Sequence, residues 1–255
     1  MLSTIVLISA HAKKNRKDNL IHSTKETASY VEDIKDIGLK MIYVKGGPFI
    51  IGNTFETGGC SDERPITEIY LEPYYIGAYE ITQTQWEIIM NSGIEIEESG
   101  NYPITNVSWN DAVLFCDKLS QLTGKKYQLP TEEQWEYAAL VGETKNKRYS
   151  GGGNIDNLAW YSLNSEGEVH PVGLKRPNKF GIYDMSGNIC EWCVDNYISY
   201  TRKYNIEKKK DIGNYRVLRG GSWGDIASNC RATYRGFEVL SCTSNKIGFR
   251  VVCIP

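Results

Sequence analysis

PNKFGIYDMSGNICEWCVDNY (177–197) carries Pro177, Gly181 and Gly187 and no sustained helical or strand period. It lies within a turn-rich span, 154–215, that also holds Pro171 and Gly173 and follows Gly151-Gly152-Gly153. So long an irregular span in one compact domain carries function more often than not. Trp192 reads as a core anchor, and Gly187 as a backbone position that no side chain can take. Cys190-Glu191-Trp192-Cys193 has CxxC spacing but sits inside this structural motif, which argues against a redox or zinc role. Upstream, Thr131-Glu132-Glu133-Gln134 follows Pro130 as a capping box, and Trp135, Tyr137, Ala138 and Ala139 supply the buried side of the helix it opens. The acids at 132 and 133 suit the helix N-terminus. Downstream, Tyr215 to Arg219 is a strand leading into Gly220-Gly221. Trp135 and Trp223 read as further anchors. Arg219, Arg231, Arg235 and Arg250 are expected to join buried carboxylates such as Glu136 and Glu191, because guanidinium suits fixed bidentate pairs.

Further out, Met41 to Gly52 reads as strand, Gly turn and strand, hence a hairpin. Ile66 to Tyr79 reads as two extended segments around Pro73. Thr82 and Ser108 are N-cap residues of two helices, and Gly124 ends the second. Ile247 to Ile254 closes the chain as a strand, and Lys203 to Lys210 reads as a solvated, charge-rich loop. The 255 residues include 24 Gly, 17 Tyr and 6 Trp but 3 His, which suits a loop-rich fold with aromatic anchors and few conventional metal ligands. A net charge of -2 argues against a nucleic-acid partner held by bulk positive field.

The order of motifs resembles the formylglycine-generating enzyme, or sulfatase-modifying factor, family. The resemblance rests on MIYVKGGPFIIG (41–52), PYYIGAYEITQTQW (73–86), YPITNVSWNDAVLFC (102–116), KYQLPTEEQWEYAA (126–139), the 177–197 stretch, RVLRGGSW (216–223), CRATYR (230–235) and GFRVV (248–252). It implies an α+β, C-type-lectin-like fold, loop-rich with little regular structure, over residues 41–255.

The family's oxidase uses a copper-binding cysteine pair after RGGS. Here that segment reads RGGSWGDIASNCRATYR, with Asp225 and Ile226 where the first thiol is expected and Cys230 as its one cysteine. A related branch holds iron through histidines, but His11 and His22 lie in the N-terminal segment and His170 stands alone. The chain is therefore expected not to be an enzyme; the alternative is a metal-dependent oxidase of the formylglycine-generating type. Family resemblance also places Cys116 and Cys253 at positions the oxidase bridges or nearly so, and Cys193 and Cys230 form a second plausible disulfide pair, with open connectivity and buried free thiols as the alternative. No cofactor is expected, calcium being the open case. Family members hold calcium through Asn side chains and carbonyls, which makes Asn157, Asn164 and Asn188 candidates, and turn capping accounts for the same residues.

Residues 224–246, GDIASNCRATYRGFEVLSCTSNK, mix Gly, Ser, Asn and Tyr with apolar bulk at Phe237, Val239 and Leu240, without period and in a loop. Such a mixture suits a binding surface. The arrangement resembles a subset of the family, the variable proteins of diversity-generating retroelements, and most of all the treponemal ones. There, mutagenic reverse transcription at template adenines diversifies C-terminal codons. Most residues of 224–245 belong to the set such codons produce; Glu238 does not. The expected site comprises Gly224, Asp225, Ile226, Ser228, Asn229, Tyr234, Gly236, Phe237, Glu238, Leu240 and Thr243, supported by Trp223, Cys230 and Arg231. Asp225, Asn229 and Glu238 would orient polar groups of a macromolecular ligand, such as a protein on another cell. Residues 2–10 form an apolar run followed by Ala10-His11-Ala12, an A-x-A pattern, although no Lys or Arg precedes the run. Residues 1–12 are thus expected as an export signal and 13–40 as a flexible tether, the monomeric chain reaching the cell surface or outer membrane. Leu7 to Ala10 also resembles a lipoprotein box, with His11 in place of the acylated cysteine, so membrane association would run through a signal or lipid anchor alone.

Overall fold

The computed structural model describes residues 29–55, 58–95, 101–143, 147–203 and 213–255. The expected signal, the first part of the tether and residues 204–210 of the charge-rich loop lie outside the described residues. The strands are β1 Tyr30–Glu32, β2 Leu39–Val44, β3 Gly47–Ile51, β4 Thr67–Leu71, β5 Tyr74–Gly77, β6 Lys126–Gln128, β7 Cys190–Asn196, β8 Tyr215–Arg219, β9 Gly236–Val239, β10 Ile247–Gly248 and β11 Val252–Ile254. The helices are α1 Gln83–Met90, α2 Trp109–Thr123, α3 Glu132–Leu140 and the single turn α4 Tyr200–Lys203. They build an antiparallel five-stranded sheet, β1-β2-β5-β11-β6, a four-stranded sheet, β10-β7-β8-β9, and the pair β3-β4. Between these elements run long irregular connections, the α+β, loop-rich character expected.

Each full helix starts at the residue whose side chain caps it. Thr82 Oγ1 accepts from Gln85 N at 3.2 Å, Ser108 Oγ from Asp111 N at 3.2 Å, and Thr131 Oγ1 from Gln134 N at 3.1 Å. The third residue of each helix returns a bond to the cap's amide, so two orphan donors are satisfied at once. Gly124, at φ 71°, ends α2. One core layer joins α1 and α2 to the five-stranded sheet, with Phe115 flat against Trp86 and edge-on to Phe249. A second surrounds α3, eight of whose nine residues are buried.

Three expectations need correction. Residues 41–52 do not form a hairpin: β2 pairs with β1 and β5, whereas β3 pairs with β4. Gly46 and Gly47 (φ 71° and 122°) pass the chain from one sheet to the other, and a Cβ on Gly46 would lie 2.2 Å from Leu71 O. Nor does the tether extend to residue 40. Val31 pairs with Lys40, Ile37 and Leu39 are buried, and Lys125 reaches Glu32 at 2.6 Å, so residues 30–40 belong to the domain. The closing strand is also split: β10 and β11 lie in different sheets, with Arg250 turned inward between them. All seven cysteines are free thiols, and Cys193 and Cys230 sit in separate hydrophobic clusters.

Candidate functional site

The site rests on buried ion pairs. Arg231 clasps Glu63 with two bonds of 2.6 Å, Arg235 grips Glu132 at 2.8 and 3.1 Å, and Arg250 grips Glu191 at 2.6 and 2.7 Å. Arg219 completes the set with Glu136. These arginines pair as expected, but only Glu136 and Glu191 were foreseen as partners. Burial alone would push the Glu132 carboxyl up; Lys203, Arg235 and Arg219 outweigh it and hold the carboxyl down at about 2.

Above this layer, Gly220 and Gly221 (φ 93° and 71°) turn the chain out of β8. Asp225 Oδ2 accepts from Ser222 N at 2.9 Å and Ser222 Oγ at 2.5 Å, closing the next turn, and Asn229 Nδ2 reaches the other oxygen at 3.3 Å. A 3-10 turn follows at Ala227–Cys230, and Arg231 Nε bonds back to Ser228 O at 2.8 Å. The expected loop at 236–240 is instead strand β9, paired to β8 with Gly236 opposite Leu218 and Phe237 opposite Val217. Its four residues are too few to show a strand period in the sequence.

Across one face of the four-stranded sheet lies an open cleft of about 290 Å³. Every strand contributes to it: Ile247 from β10, Cys190 from β7, Leu218 from β8 and Gly236 from β9. Asp225, Tyr234, Ser244 and Lys246 form its walls, with Phe237 and Glu238 at the rim. A Cβ on Gly236 would press on Leu218 Cβ at 3.3 Å, and Gly236 has no positive φ, so its missing side chain serves space rather than backbone.

The expected residues divide. Asp225, Tyr234, Gly236 and Glu238 line the cleft, and Phe237 borders it from β9 with its ring turned to Tyr197 and Tyr215. Gly224 lies beneath Lys246, whose ammonium rides 4.8 Å over the Trp223 ring. Ile226, 63% exposed, and Ser228 lie on the adjoining loop. Asn229 is turned to Asp225, and Asp225 itself is committed largely to its own loop rather than left to orient a ligand. Leu240 is pinned through its main chain to Asn214 and Trp109, and it and Thr243 lie outside the cleft lining. Of the expected supporting residues, Cys230 and Arg231 are buried, and Trp223 is half-buried under Lys246. Sequence reading missed Leu163, 82% exposed, brought beside Ile226 by the Ser162 N to Asp225 O bond of 2.9 Å. It also missed Tyr197 and Tyr215, which flank Phe237 at ring distances of 4.3 and 5.6 Å. Alternation along 215–219 was the one signal that could have exposed Tyr215.

The thiols here are poor nucleophiles. Burial and Asp225 push the Cys230 thiol up to about 12, and burial raises Cys190 well above its ordinary value. His170 is held by Ser165 O at 2.9 Å and stacks on Trp160 at 3.8 Å. The three calcium candidates differ in their partners. Asn188 spans Glu80 and His170, Asn164 closes a turn through Ala159 O and Tyr161 N, and Asn157 is exposed. Among the described residues the acids that converge are Glu132, Glu133 and Asp195, and Lys203 Nζ fills their centre at 2.7, 2.8 and 2.7 Å.

The sulfatase-modifying factor enzyme 1-like domain matches residues 28–254. The chain is 29% identical to the chaperone protein LppX of Paenibacillus barcinonensis over 79% of this chain and 86% of that one. It is 32% identical to the inactive C-alpha-formylglycine-generating enzyme 2 of Mus musculus, over 82% and 84%. It spans only 42% of the serine/threonine-protein kinase pkn1 of Chlamydia caviae. Among solved structures, Treponema denticola variable protein 1 superposes with a TM-score of 0.76 at 25% identity, covering 89% of this chain and 99% of that one.

Proposed function

The chain belongs to the sulfatase-modifying factor family, and we propose that it acts there as a non-catalytic binding protein. Its C-terminal segment, about 224–246, is the diversified ligand site of a lectin-like scaffold, as in the variable proteins of diversity-generating retroelements. The partner is a protein or other macromolecule outside the cell. The chain is exported and displayed at the cell surface, held through its N-terminal segment.

One observation carries this reading. Within 224–243, residues with exposed side chains, such as Ile226 and Phe237, alternate with buried, ion-paired ones, such as Arg231 and Arg235. Surface identity can therefore vary while the framework stays fixed. The likeness to Treponema denticola variable protein 1 supports the retroelement part, and the single cysteine between Ser222 and Arg235 supports the absence of turnover. Sequencing the 3′ region of the gene tests the former. The expected result is a near-identical downstream repeat with adenines at the codons for 224–245, beside a reverse transcriptase; its absence sinks that part. Stoichiometric copper binding with oxygen consumption that Cys230→Ala abolishes would overturn the non-catalytic reading.

A further inference from the structure

Among the described residues β9 ends the four-stranded sheet, and its outer edge has a hydrogen-bonding pattern that selects its ligand. Leu240 N donates to Asn214 O at 2.7 Å, so in this antiparallel ladder Glu238 and Gly236 also exchange bonds with β8. The alternate residue, Phe237, then turns its amide and carbonyl away from β8. The next outward residue, Val239, is already closed off: Cys242 N takes its carbonyl at 2.8 Å, and Glu238 Oε2 takes its amide at 3.3 Å. Gly236–Val239 contains no Pro, Lys or bulge, and its one charged residue is Glu238.

Both faces beside this edge can accept side chains. On one lies the cleft, floored by Leu218 and Ile247 and left open by Gly236. On the other lies an aromatic shelf of Phe237, 47% exposed, and Tyr215, 46% exposed, backed by Tyr197. Successive side chains of a strand point to opposite faces. We infer that the ligand is an extended segment of a partner polypeptide that adds to β9 as a fifth strand. Its main chain pairs with Phe237, one apolar side chain enters the cleft over Gly236, and its neighbour in sequence packs on the Phe237–Tyr215 shelf. Main-chain pairing gives affinity, and the alternate pockets give specificity. This rests on the binding reading above and names the partner's conformation.

The test compares Phe237→Ala, which keeps the outward amide, with Phe237→Pro, which removes it without touching the β8 ladder. A displayed library of random linear ten-residue peptides is selected on the immobilised full chain. Selected peptides are expected to bind Phe237→Pro about 10-fold more weakly than Phe237→Ala. N-methylation of the peptide at the residue facing Phe237 should cause a similar loss, which needs no altered protein. Equal binding by the two variants together with indifference to N-methylation overturns the inference. So does failure to select any linear peptide, or a dimer of the chain alone that Phe237→Pro dissolves. A parallel selection with a library of folded domains separates the two readings. Folded binders lost on Ile226→Asp, with no linear peptide recovered, leave the binding surface standing and sink strand addition.

Discussion

Arg231 and Ile226 stand five residues apart and have opposite fates. Arg231 Nη1 and Nη2 each bond Glu63 at 2.6 Å, and both side chains are buried. Removing one partner strands a buried charge. Arg231→Met is therefore expected to cost about 3 kcal/mol or more, read as a shifted midpoint in urea unfolding. Ile226 is exposed and makes no comparable bond, so Ile226→Ser should stay within about 0.5 kcal/mol. Similar losses for the two would remove the division into framework and variable surface. The arginines were legible because Arg beside Gly and aromatic residues in ordered motifs signals fixed pairing. Glu63 was not, since 168 residues separate it from Arg231 and no local pattern links them. Asp225 was misread for a related reason. A short acid among Gly and Ser suits a ligand contact as well as a turn, and only the bonds to Ser222 decide.

The helices were legible as elements because their signals are local: a capping residue, its partner at the third helical position, and a Gly stop. Strand pairing is not local. β2 and β3 are joined by two glycines and still belong to different sheets, and β9 is too short to show alternation. The turn that leads from β8 into the cleft wall depends on Gly221 in the same way. A Cβ there would lie 2.7 Å from Asn229 O and 3.0 Å from Cys230 Sγ, at a φ of 71°. Gly221→Ala is expected to cost about 2 kcal/mol or more in urea unfolding and to displace 222–230. Gly236 is the contrast. Its backbone is ordinary, and β-branched residues suit strands, so Gly236→Val should change stability by no more than about 1 kcal/mol while closing the cleft. Peptides that bind the parent but not Gly236→Val, at unchanged midpoint, are the expected observation. Unaltered binding would mean that the cleft is not used.

Across the whole molecule, buried carboxylates fall into two groups with opposite responses to pH. Glu132, surrounded by Lys203, Arg235 and Arg219, titrates at about 2 despite its burial. Its folded value is below the unfolded one, so its contribution is present above roughly pH 4 and is lost as pH falls towards 2. The loss is on the order of 3 kcal/mol. Asp184 and Glu80 behave in reverse. Burial lifts Asp184 to about 6 against the Gly173 amide and Arg250, and burial, then Asp184 and Glu191, raise Glu80. Values raised above the unfolded state favour folding below roughly pH 4, and that contribution is lost as pH rises through about 6. Urea midpoints measured from pH 2 to 8 should therefore peak near pH 4, with an acid limb from Glu132 and a second loss as pH rises through about 6. Asp184→Asn removes one part of the second limb, to which Glu136 and Asp195, each raised to about 6 by burial, also contribute. Asn keeps an acceptor for Gly173 N and tolerates the positive φ of 56° at this position, but has no proton to lose. The variant should make the loss between pH 4 and 6 smaller and leave the acid limb in place. A profile parallel to the parent's would show that Asp184 takes no part in the second limb.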